Sequence, residues 1–558
     1  MPRYSVRPSD ERAAGMLADA CGLGLSAAQI LIHRGVSTPD EATPFLEATL
    51  RGLSSPEPMA DRAAASERIA RAIRSRERIV VFGDYDVDGT TSAIILSDVI
   101  RVLGGDVRAL IADRFHGGYG LSDEALSRCL ETNPGLLITC DCGSSDHERV
   151  ARARARGVDV IVVDHHLVPD EPLPAFAFLN PHRPDCGFAY TGLCSAGLAF
   201  SLGAALRTEM GAKIDLRAWL DLVAIGTIAD LAPLTGDNRR LVRAGLKRLA
   251  SASARPALKV MREAAKIRES AELTARDVAF RFSPRLNAPG RLGEADLTLR
   301  FLSTQKPAEA RRLLVEIESR NEQRKTLGER ATQEALAQAR ELYGDTPKHG
   351  VVLASQDWHR GVVGIVAARV VDALGVPAVV VAFDGDRGHG SVRTVGGFDV
   401  YQALSQCASD LSAWGGHRAA AGLSLEVSAL DRFRAAFADA APEGAFDDSD
   451  VTEVDIGLGG AYRVPSLDDL QRVGPFGQGY PTPLFRADAY VVSAKGVGEG
   501  GVHGKLELRI GQDRVRAFAP QMFSRVDGRE SLSVVGEFQP DHWLGGGAVE
   551  LLVKDVLD

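Results

Sequence analysis

The sequence predicts an α/β protein of several domains: a parallel-sheet lobe, a long connecting helix, a second α/β lobe and a C-terminal β-barrel. Three observations predict it. Short β-rich runs alternate with amphipathic segments between Arg78 and Asp164, the signature of a parallel sheet with crossover helices. A similar alternation returns over residues 350–440, after one long helical stretch. From about Asp450 the pattern becomes two-residue alternation broken by glycine-rich turns, which suits a small barrel such as an OB-fold. At 558 residues the chain is too long for one core. We expect a helical cap at 1–60, the first lobe at 61–300, the connecting helix at 301–345, the second lobe at 346–445 and the barrel at 446–558.

Bulk composition narrows the class. Hydrophobic content of 45% with 25% charged residues is that of a globular protein. A net charge of -9 argues against a surface that coats nucleic acid indiscriminately, but a local basic groove is compatible with it. Seven cysteines without a C-x-x-C pair fit reduced thiols, and hence a cytoplasmic protein. The opening M-P-R-Y-S-V-R-P-S-D lacks an apolar signal core, and no run of about 18 apolar residues occurs. Neither export nor membrane spanning is expected.

Residues up to about 60 read as short helices anchored by Leu23, Leu25, Ala28, Ile30 and Leu31, a packing cap on the domain that follows. Apolar runs at 79–83, 106–112, 135–140 and 158–163 then alternate with helix-like segments at 90–103, 122–132 and 147–156. In open sheets of this kind ligands bind beyond the carboxyl ends of the strands. The first run ends in V-V-F-G-D-Y-D-V-D-G, carrying Asp84, Asp86 and Asp88; the third ends in Asp141; the fourth ends in Asp164, His165 and His166. Like charges so close repel and are costly to desolvate unless a cation or hydrogen-bond donors compensate. A further apolar segment, D-L-V-A-I-G-T-I-A-D-L-A-P-L, adds Asp230. Carboxylates with one or two imidazoles suit Mn²⁺ or Mg²⁺ better than structural Zn²⁺. Two ions about 3.5 to 4 Å apart clamp a phosphoryl centre for in-line attack by water. Cys140 and Cys142 flank Asp141, but strand alternation turns both away from its face.

These residues resemble the DHH phosphoesterase family: D-Y-D-V-D-G is similar to its first motif, Asp141 to its second, Asp164-His165-His166 to its signature and Asp230 to its fourth. Downstream, R-F-S-P-R-L-N-A-P-G-R (281–291), D-W-H-R-G-V-V-G-I-V-A-A-R (357–369), G-G-H-R-A-A-A-G (415–422) and P-F-G-Q-G-Y-P-T-P-L-F (475–485) are similar to its RecJ-type, DHHA1-containing branch. The resemblance implies a metal-dependent 5′ to 3′ exonuclease that degrades single-stranded DNA to 5′-mononucleotides in repair and recombination. It implies two Mn²⁺ or Mg²⁺ ions held by Asp86, Asp88, Asp141, His165 and Asp230, with Asp141 bridging. His166 would lie near the scissile phosphate, Asp84 would ligate or orient, and Asp164 would hold a histidine tautomer. A single-strand-binding protein and a helicase are the partners it implies for a monomer. Shorter family members, such as nanoRNases, cyclic-dinucleotide phosphodiesterases and pyrophosphatases, should lack the barrel.

Lys306 to Tyr343 reads as the connecting helix, with Pro307 near its start and Gly344 past its end. If continuous it spans on the order of 55 Å; Gly328 could instead break it in two. The second lobe is similar to a DHHA1 domain, which implies an active site in a cleft too narrow for duplex. By resemblance Ser391 and Arg393 in G-H-G-S-V-R-T, His417 in G-G-H, and Arg285 and Arg291 in the joining region recognise the 5′ phosphate. The family commonly has glycine where Val392 stands. Arg281, Arg311, Arg320 and Arg324 could extend the groove or simply be solvated. In the barrel, K-L-E-L-R-I puts Leu506, Leu508 and Ile510 on one face. Trp543 or Phe523 would either stack bases or fill the core.

Overall fold

Arg78–Gly83 (β1) and Asp106–Ile111 (β2) pair in parallel, joined by the helix Val87–Val102 (α1). Asp123–Leu130 (α2), Leu136–Cys140 (β3), His147–Ala155 (α3), Asp159–Val163 (β4) and Ala177–Leu179 (β5) continue the alternation. The strands form one parallel sheet in the order β2-β1-β3-β4-β5. β1 and β3 are buried almost throughout, as β-rich runs covered on both faces must be. Two helices follow, Ser195–Glu209 (α4) and Leu220–Ala229 (α5), and α5 carries no polar face because it is buried all round.

The protein is described by a computed structural model over residues 4–268, 272–446, 451–541 and 547–557. Its contacts divide it into two units: Met1–Asn287 with Ala295–Leu314 and Val451–Asp558, and Ala288–Glu294 with Val315–Asp450. Pro307–Tyr343 (α6) is one continuous helix; Gly328 does not break it.

In the second unit Val351–Ser355 (β6), Ala378–Asp384 (β7), Arg387–Arg393 (β8), Ala413–His417 (β9) and Ala420–Glu426 (β10) form a mixed sheet in the order β9-β10-β8-β7-β6. Its core joins these strands to Phe433, Phe437 and the helix Val363–Leu374.

The C-terminal part of the first unit is a closed barrel. Ile456–Leu458 (β11) leads into Phe485–Val497 (β12), followed by His503–Ile510 (β13), Asp513–Ala519 (β14), Ser531–Pro540 (β15) and Val549–Leu557 (β16). The order is β11-β12-β13-β14-β16-β15, and β12 also pairs with β15 to close the ring. Leu506, Leu508 and Ile510 point inward as their alternation predicts.

The N-terminal helices correct one expectation. They do not simply cap the parallel-sheet lobe: Leu17, Ala28, Ile30 and Leu31 share a core with Phe485, Leu508 and Val553 of the barrel. Tyr4–Val6 pairs in parallel with Thr452–Val454, and Tyr462 Oη donates to Gln29 Oε1 at 2.9 Å. Apolar helix faces specify that a partner exists, but not which distant segment supplies it.

Candidate metal centre

Three of the four strands that run from β1 to β4 deliver their acidic ends to one edge of the sheet. Asp84 follows β1 and is 2% exposed; Asp88 lies in the first turn of α1 and is 1% exposed; Asp141 follows β3 at 2% and Asp164 follows β4 at 1%. Asp86 caps α1, its Oδ1 accepting from Gly89 N at 2.9 Å. Asp230 stands where α5 ends, at the C-cap. Asp141 has φ +64°, a left-handed backbone that non-glycine residues seldom adopt and that clusters at functional sites.

Burial pushes the pKa of Asp84 and Asp141 well up and that of Asp88 up, and the charge of Asp86 adds to all three. Asp230 is pushed up to about 9, by burial first and then by Asp88, Asp86 and Asp164. Asp164 behaves oppositely. Burial opposes its charge, but it accepts from His166 Nδ1 (2.7 Å), from the amides of His165 (2.8 Å) and His166 (3.2 Å), and from Ser144 N (3.0 Å), and its pKa falls.

His165 Nε2 is buried and makes no hydrogen bond, although it lies 3.2 Å from Asp141 Oδ1 and 3.7 Å from Asp230 Oδ2. An imidazole nitrogen orphaned between two carboxylates lacks the partner that buried polar atoms normally have. A divalent cation would supply it, and the hard oxygen donors fit Mn²⁺ or Mg²⁺. Ligand atoms of Asp141, His165 and His166 lie within 4.8 Å of one another, as do those of Asp88, Cys194 and Asp230.

His166 is held from two directions. Its Nδ1 lies 2.7 Å from Asp164 Oδ1, and the Tyr119 hydroxyl lies 3.0 Å from Nδ1 and 3.3 Å from Nε2 and also donates to the Asp141 carbonyl at 3.2 Å. Burial lowers the His166 pKa, but the hydrogen bond and charge of Asp164 outweigh it and the net shift is upward.

Several participants escape a reading by motif. Ser195 Oγ donates to Asp141 Oδ1 (3.1 Å), while the amides of Ser195 and Ala196, at the start of α4, donate to the two oxygens of Asp88 (2.7 and 2.9 Å). A helix N-terminus favours a carboxylate there. Arg114 lies 4.3 Å over the Tyr85 ring, and its charge lowers Asp84. Tyr119, Cys194 and Ser195 sit outside any acidic motif, so only the Y-G-L-S and L-C-S-A helix-start patterns offered a signal. Cys140 and Cys142 are buried, and neither is in the two ligand groups found among the described residues.

In the second unit Ser391 and Arg393 share a face of β8, and Arg393 Nη1 donates to Ser391 Oγ at 2.7 Å. A Cβ on Gly364, in the first turn of Val363–Leu374, would lie 3.0 Å from Arg393 Nη2 and 3.2 Å from Ser391 Oγ. Burial lowers the Arg393 pKa. Val392, where the resemblance expects glycine, is buried in the core and points away from that face. His417 is exposed, in register with Ala420, which in turn faces Arg393.

The other cations are engaged. Arg285 Nη1 donates to the Arg281 carbonyl (2.6 Å) and Arg291 Nη1 to the Gly361 carbonyl (3.3 Å). Arg281 pairs with Asp277, Arg311 with Glu263 and Arg320 with Glu294, while Arg324 donates to Asn321 Oδ1. Phe523 packs on the barrel core, where a Cβ on Gly496 would meet its ring at 2.9 Å. Trp543 lies outside the described residues. An exposed barrel aromatic is Tyr490, 60% exposed beneath the Arg509 guanidinium at 4.8 Å.

Comparison with known proteins agrees with this arrangement. The DHH family N-terminal domain matches residues 78–227, a DHHA1 domain 348–443 and a RecJ OB domain 461–555. The single-stranded-DNA-specific exonuclease RecJ of Bacillus subtilis (strain 168) is 31% identical over 567 residues, covering 99% of this chain and 70% of that protein. The Escherichia coli (strain K12) RecJ is 35% identical over 493 residues, 84% of each. The crystal structure of RecJ in complex with Mn²⁺ from Thermus thermophilus matches with a TM-score of 0.81 at 32% identity, over 100% of this chain and 79% of that one. The chain belongs to the RecJ family of DHH phosphoesterases.

Proposed function

We propose that the protein is a metal-dependent exonuclease that degrades single-stranded DNA from the 5′ end to 5′-mononucleotides, in DNA repair and recombination. One observation carries it: carboxylates from separate strands and helices are buried together around an unpartnered histidine nitrogen, in a chain whose relatives are single-stranded-DNA-specific exonucleases. Asp86, Asp88, Asp141, His165 and Asp230 would hold two Mn²⁺ or Mg²⁺ ions, with Asp141 shared. When bound, such a pair supplies Lewis acidity to both the attacking and the leaving oxygen of a phosphodiester.

The chain's own groups do the rest. Asp164 keeps His166 oriented and favours its protonated form, which presents a cation to the phosphate. Asp84, with Gly120 N 3.3 Å from its Oδ1, orients neighbouring groups from behind the centre. In the second unit Ser391 and Arg393, with His417, bind the terminal 5′ phosphate; Arg285 and Arg291 serve the adjacent backbone. Tyr490 and Arg509 offer a base a stacking surface on the barrel. The protein would work in the cytoplasm as a monomer, alongside a single-strand-binding protein and a helicase.

A time course with long 5′-phosphorylated single-stranded and blunt duplex DNA tests the assignment, with Mn²⁺, Mg²⁺ or EDTA. Mononucleotides should appear from the single strand only, and neither with EDTA nor with Asp141→Ala or His166→Ala. Dinucleotide products or equal digestion of duplex would refute it.

A further inference from the structure

The P-F-G-Q-G-Y-P segment (475–481) belongs to the C-terminal part of the chain, yet it is built against the loop that leaves Asp230. Its turn is closed on itself, Gly477 N donating to the Tyr480 carbonyl (2.8 Å) and Tyr480 N to the Gly477 carbonyl (3.1 Å). The carbonyl at the tip, that of Gln478, accepts from Leu234 N at 2.7 Å. A Cβ on Gly477 would lie 2.7 Å from Leu234 Cδ1, and one on Gly479, at φ +69°, 3.0 Å from Pro233 Cβ. Backbone at both positions therefore touches the loop with no space for a side chain.

The loop is also gripped by its own lobe. Tyr190 Oη and Asn238 Nδ2 both donate to the Pro233 carbonyl, at 3.2 and 3.0 Å. The turn itself is fixed from behind: Tyr480, 4% exposed, stacks on Phe476, and Arg239 lies over the Phe45 ring at 3.8 Å and donates to the Val473 carbonyl at 2.8 Å. Between this clasp and Asp230 stand only Leu231 and Ala232, and Leu231 has φ +60°. So short a tether transmits displacement of Pro233 to the Asp230 carboxylate, and ligand geometry tolerates only about 0.5 Å.

We propose that the F-G-Q-G-Y turn is a positioning element for Asp230, so that metal affinity depends on the C-terminal module being seated on the catalytic lobe. It rests on the metal centre proposed for this chain. Gln478 acts through its main-chain carbonyl, and Gly477 and Gly479 act by allowing the approach.

The test is Mn²⁺ titration of the EDTA-stripped full-length protein, by calorimetry and by electron paramagnetic resonance of free Mn²⁺. The wild type should bind two ions; if it binds none, the metal centre itself is wrong. Gly477→Val should weaken at least one ion fivefold or more, and combining it with Leu234→Ala, which removes the obstructing atoms, should restore affinity to within about twofold. Should Gly477→Val not fold, Gly479→Ala is expected to weaken binding in the same way. Gly498→Ala is the control, a barrel glycine at φ +81° whose Cβ would meet His503 rather than the loop. It should lower the melting temperature and leave Mn²⁺ affinity unchanged. Wild-type affinity in both turn variants, or equal weakening in the control, would overturn the proposal.

Discussion

At the scale of single residues, Asp230 illustrates how the centre couples metal to pH. With a pKa near 9 in the fold and about 4 unfolded, it binds a proton on folding at any pH between the two. The metal-free native state then holds more protons than the unfolded chain, so its stability falls as pH rises through that window. Asp84 and Asp141 shift in the same direction. Melting temperatures of EDTA-treated protein should therefore decline from pH 5 to pH 9, and saturating Mn²⁺ should flatten the slope. Calorimetry in buffers of different ionisation enthalpy should show net proton release on Mn²⁺ binding at pH 7.5. Asp164 is the opposite case, an acceptor for four donors. Asp164→Asn keeps the volume and loses the charge that favours protonated His166. It should lower kcat by about 10- to 100-fold with Mn²⁺ stoichiometry intact.

At the scale of elements, the junction of β1 and α1 depends on two glycines. A Cβ on Gly83 would lie 2.3 Å from the Gly89 carbonyl oxygen, and one on Gly89 2.5 Å from the backbone of Asp84. Strand end and helix start touch backbone to backbone, which brings Asp84, Asp86 and Asp88 together. Gly89→Ala should cost about 1–3 kcal/mol or more in urea unfolding and lose Mn²⁺ binding. This junction was legible in the sequence because D-Y-D-V-D-G carries the carboxylates, the cap and the glycine in one stretch. The parallel sheet was legible too, since β1, β3 and β4 are continuous apolar runs. β8 and β10 were not: Gly388, Gly390 and Gly422 make them look like turns. Gly388 and Gly390 pack too tightly for a side chain, their Cβ positions falling 2.7 Å from Phe383 and 2.8 Å from Leu423. Ser195 and Tyr119 were hidden for another reason, because hydrogen bonds to Asp141 and His166 depend on tertiary placement.

At the scale of the whole molecule, chain order and core membership part company. Residues 14–46 share one core with residues of 456–538 and 551–556, so helices near the N-terminus pack into the same core as the C-terminal barrel. Ile30, fully buried in that core, tests this. Ile30→Ala removes contacts to a core shared with the barrel and should cost about 2–5 kcal/mol. If the helices were an independent cap, the cost would remain local to them. Because they share the barrel's core, amide exchange should quicken along β12 and β13, more than 400 residues away in sequence. The second unit has its own core of Val351–Leu353, Val379–Val381 and Phe433, so exchange along β6 and β7 should stay at the wild-type rate. Hydrogen exchange followed by mass spectrometry reads both, and faster exchange confined to residues 11–47 would show the helices to be a separate cap after all.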